Sequence, residues 1–294
     1  IFTLLAALLV GGTLTASAKE ISFPTDELKT LSAAVAAAED GDVITITEDF
    51  QIAERVALDT KNNLTIQAAD GVTVKFRKKG SLCFMVKKTA TLKNLNLVYN
   101  DGESSNPLIE SSTSSGMLTM ENCKISNYNG TNNQGIISIK NSGKAILKDV
   151  IFENNTVKEG KGEIYFGANG SAIEGTTNGS IMIQKNYSFT VNNFNPAPKA
   201  EAVADNEITP SSNAVLMYFD EEGKNAEDTS NKRSVGTNVV LGTEDASLFN
   251  LQHPTFELAA KNGNLIAQEK TGTGIAGVEA DDNAPVEYYN LNGR

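Results

Sequence analysis

The chain has 294 residues, a net charge of −11 and a pI near 4.7, and 40% of its residues are hydrophobic. Such an acidic chain is not expected to bind nucleic acid, and nothing attracts it to anionic lipid, because like charges repel. The apolar content suffices for a core, and regular strand spacing favours one elongated domain over two small ones.

The first ten residues, Ile1–Val10, form an apolar run, and small residues ending in Ala16-Ser17-Ala18 follow it. This pattern predicts a signal peptide over residues 1–18 that lacks its basic start and initiator Met, so the sequence is expected to be a fragment. A membrane-spanning helix is the alternative, but Gly11 and Gly12 end the run well short of the ~20 residues that a bilayer requires. We therefore expect a mature chain without a membrane span, either secreted or on the outer cell surface.

Residues 19–42 are predicted to contain a capping helix. Thr25 is placed as its N-cap, and Leu28, Leu31, Val35 and Ala38 recur at helical spacing. A helix before the first strands can cover the open apolar end of a stack of strands.

Short strands begin at Val43, and one pattern recurs between Thr91 and Phe152. In each copy an apolar residue precedes a charged residue, then Asn or Asp, then an apolar-x-apolar strand. The three copies are Leu92–Leu97, Met120–Ile125 and Leu147–Phe152, and weaker copies begin at Asn63 and Asn186. Repeats this short with strand periodicity indicate a solenoid.

The Asn or Asp of each copy stands where the strand must bend, and these residue types tolerate a left-handed corner. Stacked about 4.8 Å apart, they are expected to exchange side-chain hydrogen bonds. The predicted corner ladder is Asn63, Asn94, Asn122, Asp149 and Asn186; the residues that follow, Leu64, Leu95, Cys123, Val150 and Tyr187, are predicted to line the core. A string of hairpins with Asn as a turn former is the alternative, although it does not require the same residue type at each break.

With these corners, the chain from Thr25 to Phe189 resembles the right-handed parallel β-helix family, the pectate-lyase-like superfamily of bacterial secreted proteins. The resemblance implies an all-β fold, with a right-handed parallel β-helix over residues 43–245 and long loops after 190. Members commonly act on acidic polysaccharides through carboxylate-bound calcium and an Arg or Lys, and hydrolytic relatives use paired carboxylates. A structural motif implies fold more than activity.

Four polar segments between the strands are predicted to protrude on one side and form the surface that meets a partner. They are Tyr99–Asn106, Asn127–Gln134, Thr156–Gly162 and Asn169–Gly179.

Residues 246–270 are predicted to form a hairpin cap around Lys261-Asn-Gly-Asn264. Residues 271–294 read as a glycine-rich linker and a tail. The tail, Val286–Arg294, resembles the opening of the C-terminal sorting domain of type IX secretion; the second strand of that domain is absent. An ordinary terminal strand is the alternative interpretation.

Candidate ligand-binding residues are few, because the chain has no tryptophan. Tyr99, Tyr128 and Tyr165 are the aromatic candidates for sugar stacking, and Glu121 and Glu153 are outward carboxylates that are assigned to the same candidate ligand surface. Further outward carboxylates are expected at Glu110 and Glu163.

These carboxylates are scattered, and the outward column Lys93, Glu121, Lys148 is more simply a ladder of alternating charge. We therefore assign no catalytic residue, metal site or cofactor. The lone His253 is expected to be a turn residue. Cys83 and Cys123 are expected to be two small buried hydrophobes, with a disulfide as the alternative.

The resulting hypothesis is a secreted or cell-surface binding or adhesion module that contacts glycan or another extracellular surface without catalysis. A polysaccharide lyase or glycoside hydrolase whose acids converge only in the fold is the alternative, and a purely structural surface component is a third.

Overall fold

The computed structural model describes residues 18–77, 82–197, 214–220 and 235–271. The predicted signal peptide up to residue 17, most of the long segments after residue 190 and the predicted linker and tail from residue 272 lie outside the described residues.

The described chain is all-β apart from one helix, α1 (Leu31–Ala37), and a 3-10 turn at Ala246–Leu248. The strands, in chain order, are β1 (Glu20–Phe23), β2 (Val43–Ile46), β3 (Phe50–Ile52), β4 (Val56–Leu58), β5 (Leu64–Ala68), β6 (Thr73–Phe76), β7 (Phe84–Val86), β8 (Thr89–Lys93), β9 (Asn96–Tyr99), β10 (Ile109–Ser111), β11 (Met117–Ser126), β12 (Ile137–Lys140), β13 (Lys144–Glu153), β14 (Ile164–Gly167), β15 (Ser171–Thr177), β16 (Ile181–Gln184), β17 (Phe189–Pro196), β18 (Val215–Asp220), β19 (Thr237–Leu241), β20 (Phe249–Leu251), β21 (Phe256–Lys261) and β22 (Asn264–Glu269).

These strands form two long, mostly parallel sheets. The first follows the order β1-β2-β5-β8-β11-β13-β15-β17-β19-β22-β21, with β3, β6 and β9 paired beside it, and the second has eight strands in the order β4-β7-β10-β12-β14-β16-β18-β20. From β10 to β20 the chain thus alternates between the sheets and adds one strand to each in turn, whereas before β10 it adds two or more strands to the first sheet for each strand of the second. We call each such pass a unit; the arrangement is consistent with the predicted solenoid.

Register within the first sheet places like residues above one another. A buried column runs along successive register partners, each at most 6% exposed: Ile44, Ile66, Leu92, Met120, Leu147, Ile173 and Val191. Because each residue of the column buries its apolar surface on the units before and after it, stacking supplies the core that no single unit can form.

The predicted core residues behind the corner are partly confirmed. Leu95, Cys123 and Val150 are buried in one core cluster, and Cys123 is the register partner of Val150. Leu64 is also buried, but it pairs with Ala90, so it belongs to a different column. Tyr187 is only partly buried.

At the N-terminal end the predicted helix is shorter than expected and is preceded by a strand that the sequence pattern did not indicate. Thr30, not Thr25, caps α1 by accepting the backbone N–H of Ala33 at 3.1 Å. Thr25 instead accepts from Leu28 in a tight turn at 3.0 Å. Helix α1 buries Leu31 and smaller apolar residues in the core cluster. It contacts β1 and β4, which are the first strands of the two sheets.

At the other end the predicted hairpin is confirmed. Strands β21 and β22 pair in antiparallel fashion around Asn262 and Gly263, whose φ angles are 52° and 78°. The hairpin extends the first sheet, because β22 pairs with β19. One predicted loop is wrong: the segment Asn169–Gly179 contains strand β15, whose Ile173 lies in the buried core column between Leu147 and Val191.

Candidate binding surface

Three corner residues stack as the sequence predicts. Asn94, Asn122 and Asp149 have φ angles of 54°, 50° and 54°, and the strand residues on either side of them are register partners. The corner continues at Gly175, which follows the register partner of Lys148 and has a φ angle of 62°. The feature that successive units share at this corner is therefore the left-handed backbone, which Asn, Asp and Gly adopt most readily.

The side chains at this corner do not form the predicted hydrogen-bonded ladder. Asp149 Oδ1 accepts the backbone N–H of Thr176 at 2.8 Å, and a Cβ at position 175 would collide with that carboxylate. In the described part of the chain, no side-chain hydrogen bond joins Asn94 to Asn122 or Asn122 to Asp149. The corner is stabilised by backbone geometry and by one carboxylate, not by a run of amide bonds.

Asn63 and Asn186 are left-handed, with φ angles of 56° and 63°, but they belong to another corner. Asn63 directly precedes β5 and Asn186 stands shortly before β17, so both lie at the entrance to the first sheet. The pattern misled because the turn from β5 to β6 is longer than the turn from β8 to β9 and passes through Gly71.

Glu121 and Glu153 lie in charge ladders on the outer face of the first sheet. Glu121 lies between its register partners Lys93 and Lys148, and its carboxylate is 3.9 Å from the Lys93 ammonium. Glu153 pairs with Lys124 at 2.6 Å. Each carboxylate is matched by a lysine of a neighbouring unit, so the pair does not form a concentrated acidic site.

The other two expected outward carboxylates are also engaged. Glu110 pairs with Lys140 at 2.8 Å. Glu163 is not outward and exposed: it is 1% exposed, and its Oε2 accepts both the backbone N–H and the hydroxyl of Ser180, at 2.9 and 3.2 Å. Across residues 18–77, 82–197, 214–220 and 235–271, no group of three or more His, Cys, Asp or Glu side chains is placed to hold a metal ion.

The prediction of exposed tyrosines is wrong. Tyr99, Tyr128 and Tyr165 are 2%, 1% and 6% exposed. The rings of Tyr99 and Tyr128 are in edge contact, with centroids 5.4 Å apart, and the Tyr165 hydroxyl donates to Gln184 at 3.1 Å and to Asp220 at 3.3 Å. These rings support the surface from below and cannot stack on a sugar.

Tyr128 organises the polar segments around it. Its hydroxyl donates to the backbone carbonyl of Asn106 at 2.6 Å and accepts from the side-chain amide of Asn132 at 2.6 Å. Burial raises the pKa of Tyr128 to about 12, while hydrogen bonds from Ser104 and Asn132 act in the opposite direction. The phenol is therefore neutral and donates its hydrogen bond throughout the physiological range.

The structure brings three of the predicted loops together. Parallel bridges join Ser104 to Gly130 and Asn129 to Thr156. Backbone hydrogen bonds complete this ladder: Ser104 N donates to Asn129 O at 2.7 Å, and Gly130 N donates to Thr156 O at 2.8 Å. Loops held by backbone bonds form a fixed surface, which we call the stacked-loop surface. Its exposed members are Asn100, Gly102, Glu103, Ser105, Asn127, Asn129, Thr131, Asn133, Thr156, Lys158, Glu159 and Gly160.

A hollow at the C-terminal end was not predicted from the sequence. It has a volume of about 350 Å³ and lies between β20 and β21, with apolar walls that include Phe249, Leu251 and Phe256 and a polar rim that includes Glu257 and Lys270. His253 stands beside it as a turn residue, as predicted: its Nδ1 accepts the backbone N–H groups of Thr255 and Phe256 at 3.1 and 2.9 Å.

Both cysteines are buried free thiols, so the disulfide alternative is wrong. Cys123 S–H donates to the backbone carbonyls of Leu92 and Glu121, each at 3.3 Å. Burial raises the pKa of Cys123 to about 11, and burial also raises the pKa of Cys83.

No family model, curated protein or solved structure matches this chain. In the described ranges, no helix has the length and apolar character needed to cross a membrane.

Proposed function

We propose that the chain is a right-handed parallel β-helix that acts as a binding or adhesion module at the outer cell surface or in the surrounding medium. The two parallel sheets, joined unit by unit, support the solenoid architecture. The apolar start, the Ala16-Ser17-Ala18 motif and the tail Val286–Arg294 support export, with sorting by type IX secretion.

The stacked-loop surface is the observation on which the binding proposal depends. It presents amide and hydroxyl side chains such as Asn129, Thr131 and Asn133 in one exposed array. Backbone hydrogen bonds already order the loops beneath these side chains. Binding therefore costs little free energy for ordering the loops. Amides and hydroxyls of this kind hydrogen-bond the hydroxyls of a sugar.

The charge of the chain narrows the ligand class. A net charge of −11 repels polyanions, and the surface itself carries both Glu103 and Lys158. We therefore infer a neutral glycan as the ligand rather than an acidic polysaccharide.

The test is binding of the purified chain to an immobilised panel of neutral and acidic glycans. Asn129→Ala combined with Asn133→Ala is expected to weaken binding to the selected neutral glycan by about tenfold or more, because two or more hydrogen bonds are lost. Thr190→Ala with Asn192→Ala, on the outer face of β17, is the matched control and is expected to bind like the parent chain. Equal binding by both double variants, or no binding to any neutral glycan, contradicts the proposal.

A polysaccharide lyase or hydrolase is the competing function. Glu121, Glu153 and Glu110 each have a lysine partner, whereas those enzymes need converging carboxylates. Incubation with the same glycans is expected to release no new unsaturated or reducing ends, and their appearance at a steady rate establishes the enzyme.

A further inference from the structure

The backbone of Lys19 is fixed on both sides immediately before β1. Its N–H donates to Asp42 Oδ1 at 2.8 Å, and its carbonyl accepts the backbone N–H of Val43 at 2.9 Å. Lys19 itself is exposed. The main-chain nitrogen of residue 19 is therefore held against a carboxylate at the surface of the first unit.

Asp42 connects the two elements that cover the N-terminal end. It is 5% exposed, and its second oxygen, Oδ2, accepts the backbone N–H of Glu39 at 2.8 Å, just beyond α1. The backbone N–H groups of Glu39 and then Lys19 lower the pKa of Asp42. The carboxylate is thus ionised at neutral pH, yet both of these donors are neutral amides.

We propose that hydrolysis of the Ala18–Lys19 peptide bond turns this amide into an α-ammonium that pairs with Asp42 and fixes β1 and α1 over the end of the core. The proposal rests on export through the predicted signal peptide and is independent of the ligand. A signal peptidase adds water across the bond, so Ala18 keeps the carboxylate. The Lys19 nitrogen gains one hydrogen from that water and takes a proton from solvent.

The geometry suits this conversion, because the Lys19 nitrogen is already at hydrogen-bond distance from Asp42 and no rearrangement is needed. A charge-assisted hydrogen bond is about twice as strong as the neutral bond it replaces. The other hydrogens of the ammonium face solvent beside an exposed residue.

Neighbouring charged groups leave Asp42 as the partner. The carboxylate of Glu39 pairs with Lys61 at 3.4 Å, Asp40 accepts the backbone N–H of Asn62 at 2.9 Å, and Glu20 accepts from Thr45 at 2.9 Å. The Lys19 ammonium side chain and Lys61 act on Asp42 through their charge. These three nearby carboxylates add to the negative potential that favours a charged α-amine.

Two chains that end at Arg294 test the proposal. One begins with a free amine at Lys19, and in the other that amine is acetylated. In the first, NMR titration is expected to show an α-amino pKa raised by about one unit or more above its usual ~7.7 to 8.0. Its melting temperature is expected to exceed that of the acetylated chain. Because the α-amino pKa is raised on folding, the difference in melting temperature between the two chains is complete below about pH 7.7. It disappears as the pH rises through the raised pKa.

Asp42→Asn in the free-amine and acetylated chains is the control, since Asn keeps an acceptor oxygen but lacks the charge. The difference between the two chains is expected to vanish. If this variant does not fold, the α-amino pKa of the parent chain alone decides whether the proposal holds. An ordinary α-amino pKa, identical melting curves for the free and acetylated chains, or an exported protein that begins at a residue other than Lys19 overturns the proposal.

Discussion

Asn122 has a φ angle of 50° at the stacked corner, a conformation that disfavours side chains with a Cβ other than Asn and Asp. Asn122→Ala is expected to lower the free energy of unfolding by about 1 kcal/mol, because the alanine Cβ comes too close to the following carbonyl oxygen in the left-handed conformation. Asn122→Gly is expected to stay within about 0.5 kcal/mol of the parent, since glycine has no Cβ. Urea unfolding followed by circular dichroism measures both.

Asn129→Ala is the matched control, because Asn129 is exposed and lies outside the left-handed region. Its stability is expected to remain within about 0.5 kcal/mol of the parent. Should Asn122→Ala unfold at the same urea concentration as this control, the backbone conformation at the corner carries no measurable cost.

The two thiols give a second prediction at this scale. Cys83 and Cys123 are both buried, and the pKa of Cys123 is raised to about 11, so thiolate is scarce at neutral pH. A thiol-reactive disulfide reagent is expected to label neither residue within minutes in the native chain and to label both after denaturation. Rapid labelling of one thiol before unfolding, or a mass two hydrogens below that of the reduced chain, contradicts the buried free state.

Residue types alone predicted the corner where the turn is a single residue. Leu92, Met120 and Leu147 each stand two residues before the Asn or Asp of the corner, and the three are register partners in the first sheet. The prediction that Asn63 shares this corner is wrong, because Asn occurs at several left-handed turns of the chain and only strand pairing shows which turn Asn63 occupies.

Among the elements, the stacked loops depend on Tyr128. Tyr128→Phe removes the hydroxyl that joins Asn106 to Asn132, and the two hydrogen bonds lost are together worth about 1 to 3 kcal/mol. The Asn106 carbonyl still accepts from Ser104, and the Asn132 amide still donates to Gly135. The backbone amides of Gly130 and Thr156 are expected to exchange hydrogen faster, because their ladder is supported by that ring. Tyr218→Phe, on the outer face of β18, is the control and is expected to leave these amides unchanged.

If Gly130 and Thr156 exchange at the parent rate in Tyr128→Phe, the loops are held by their backbone bonds alone. The burial of this tyrosine escaped the sequence pattern for a physical reason. The segment Asn127–Gln134 has the composition of an exposed loop, and it covers Tyr128 only because the loops of neighbouring units bond to one another. Contacts of this kind join residues more than twenty positions apart, which a local pattern does not register.

For the whole molecule, buried tyrosines connect one unit to the next. The ring of Tyr99 lies 6.1 Å from Phe76 and 5.4 Å from Tyr128, measured between centroids, so aromatic contacts cross three consecutive units. Tyr165 is a separate buried tyrosine in β14 of the second sheet, and its pKa is raised by burial and by the charge of Asp220. A change in charge at Tyr99 or Tyr128 therefore affects several stacked units and not one loop alone.

This distribution predicts a cooperative alkaline transition. The pKa of Tyr128 is raised to about 12, whereas an unfolded tyrosine titrates near ~10. Because the pKa is higher in the folded state, the contribution of the neutral phenol is complete below about pH 10 and is lost as the pH rises towards 12. The chain has seven tyrosines, so the phenolate absorbance of Tyr128 is taken as the difference between the parent and Tyr128→Phe. This difference and the circular dichroism of the parent are expected to change together, since the Tyr128 phenol ionises only as the stack opens. If the Tyr128 phenolate forms at about pH 10 with the circular dichroism unchanged, that ring is accessible in the native chain, which contradicts its burial between the units.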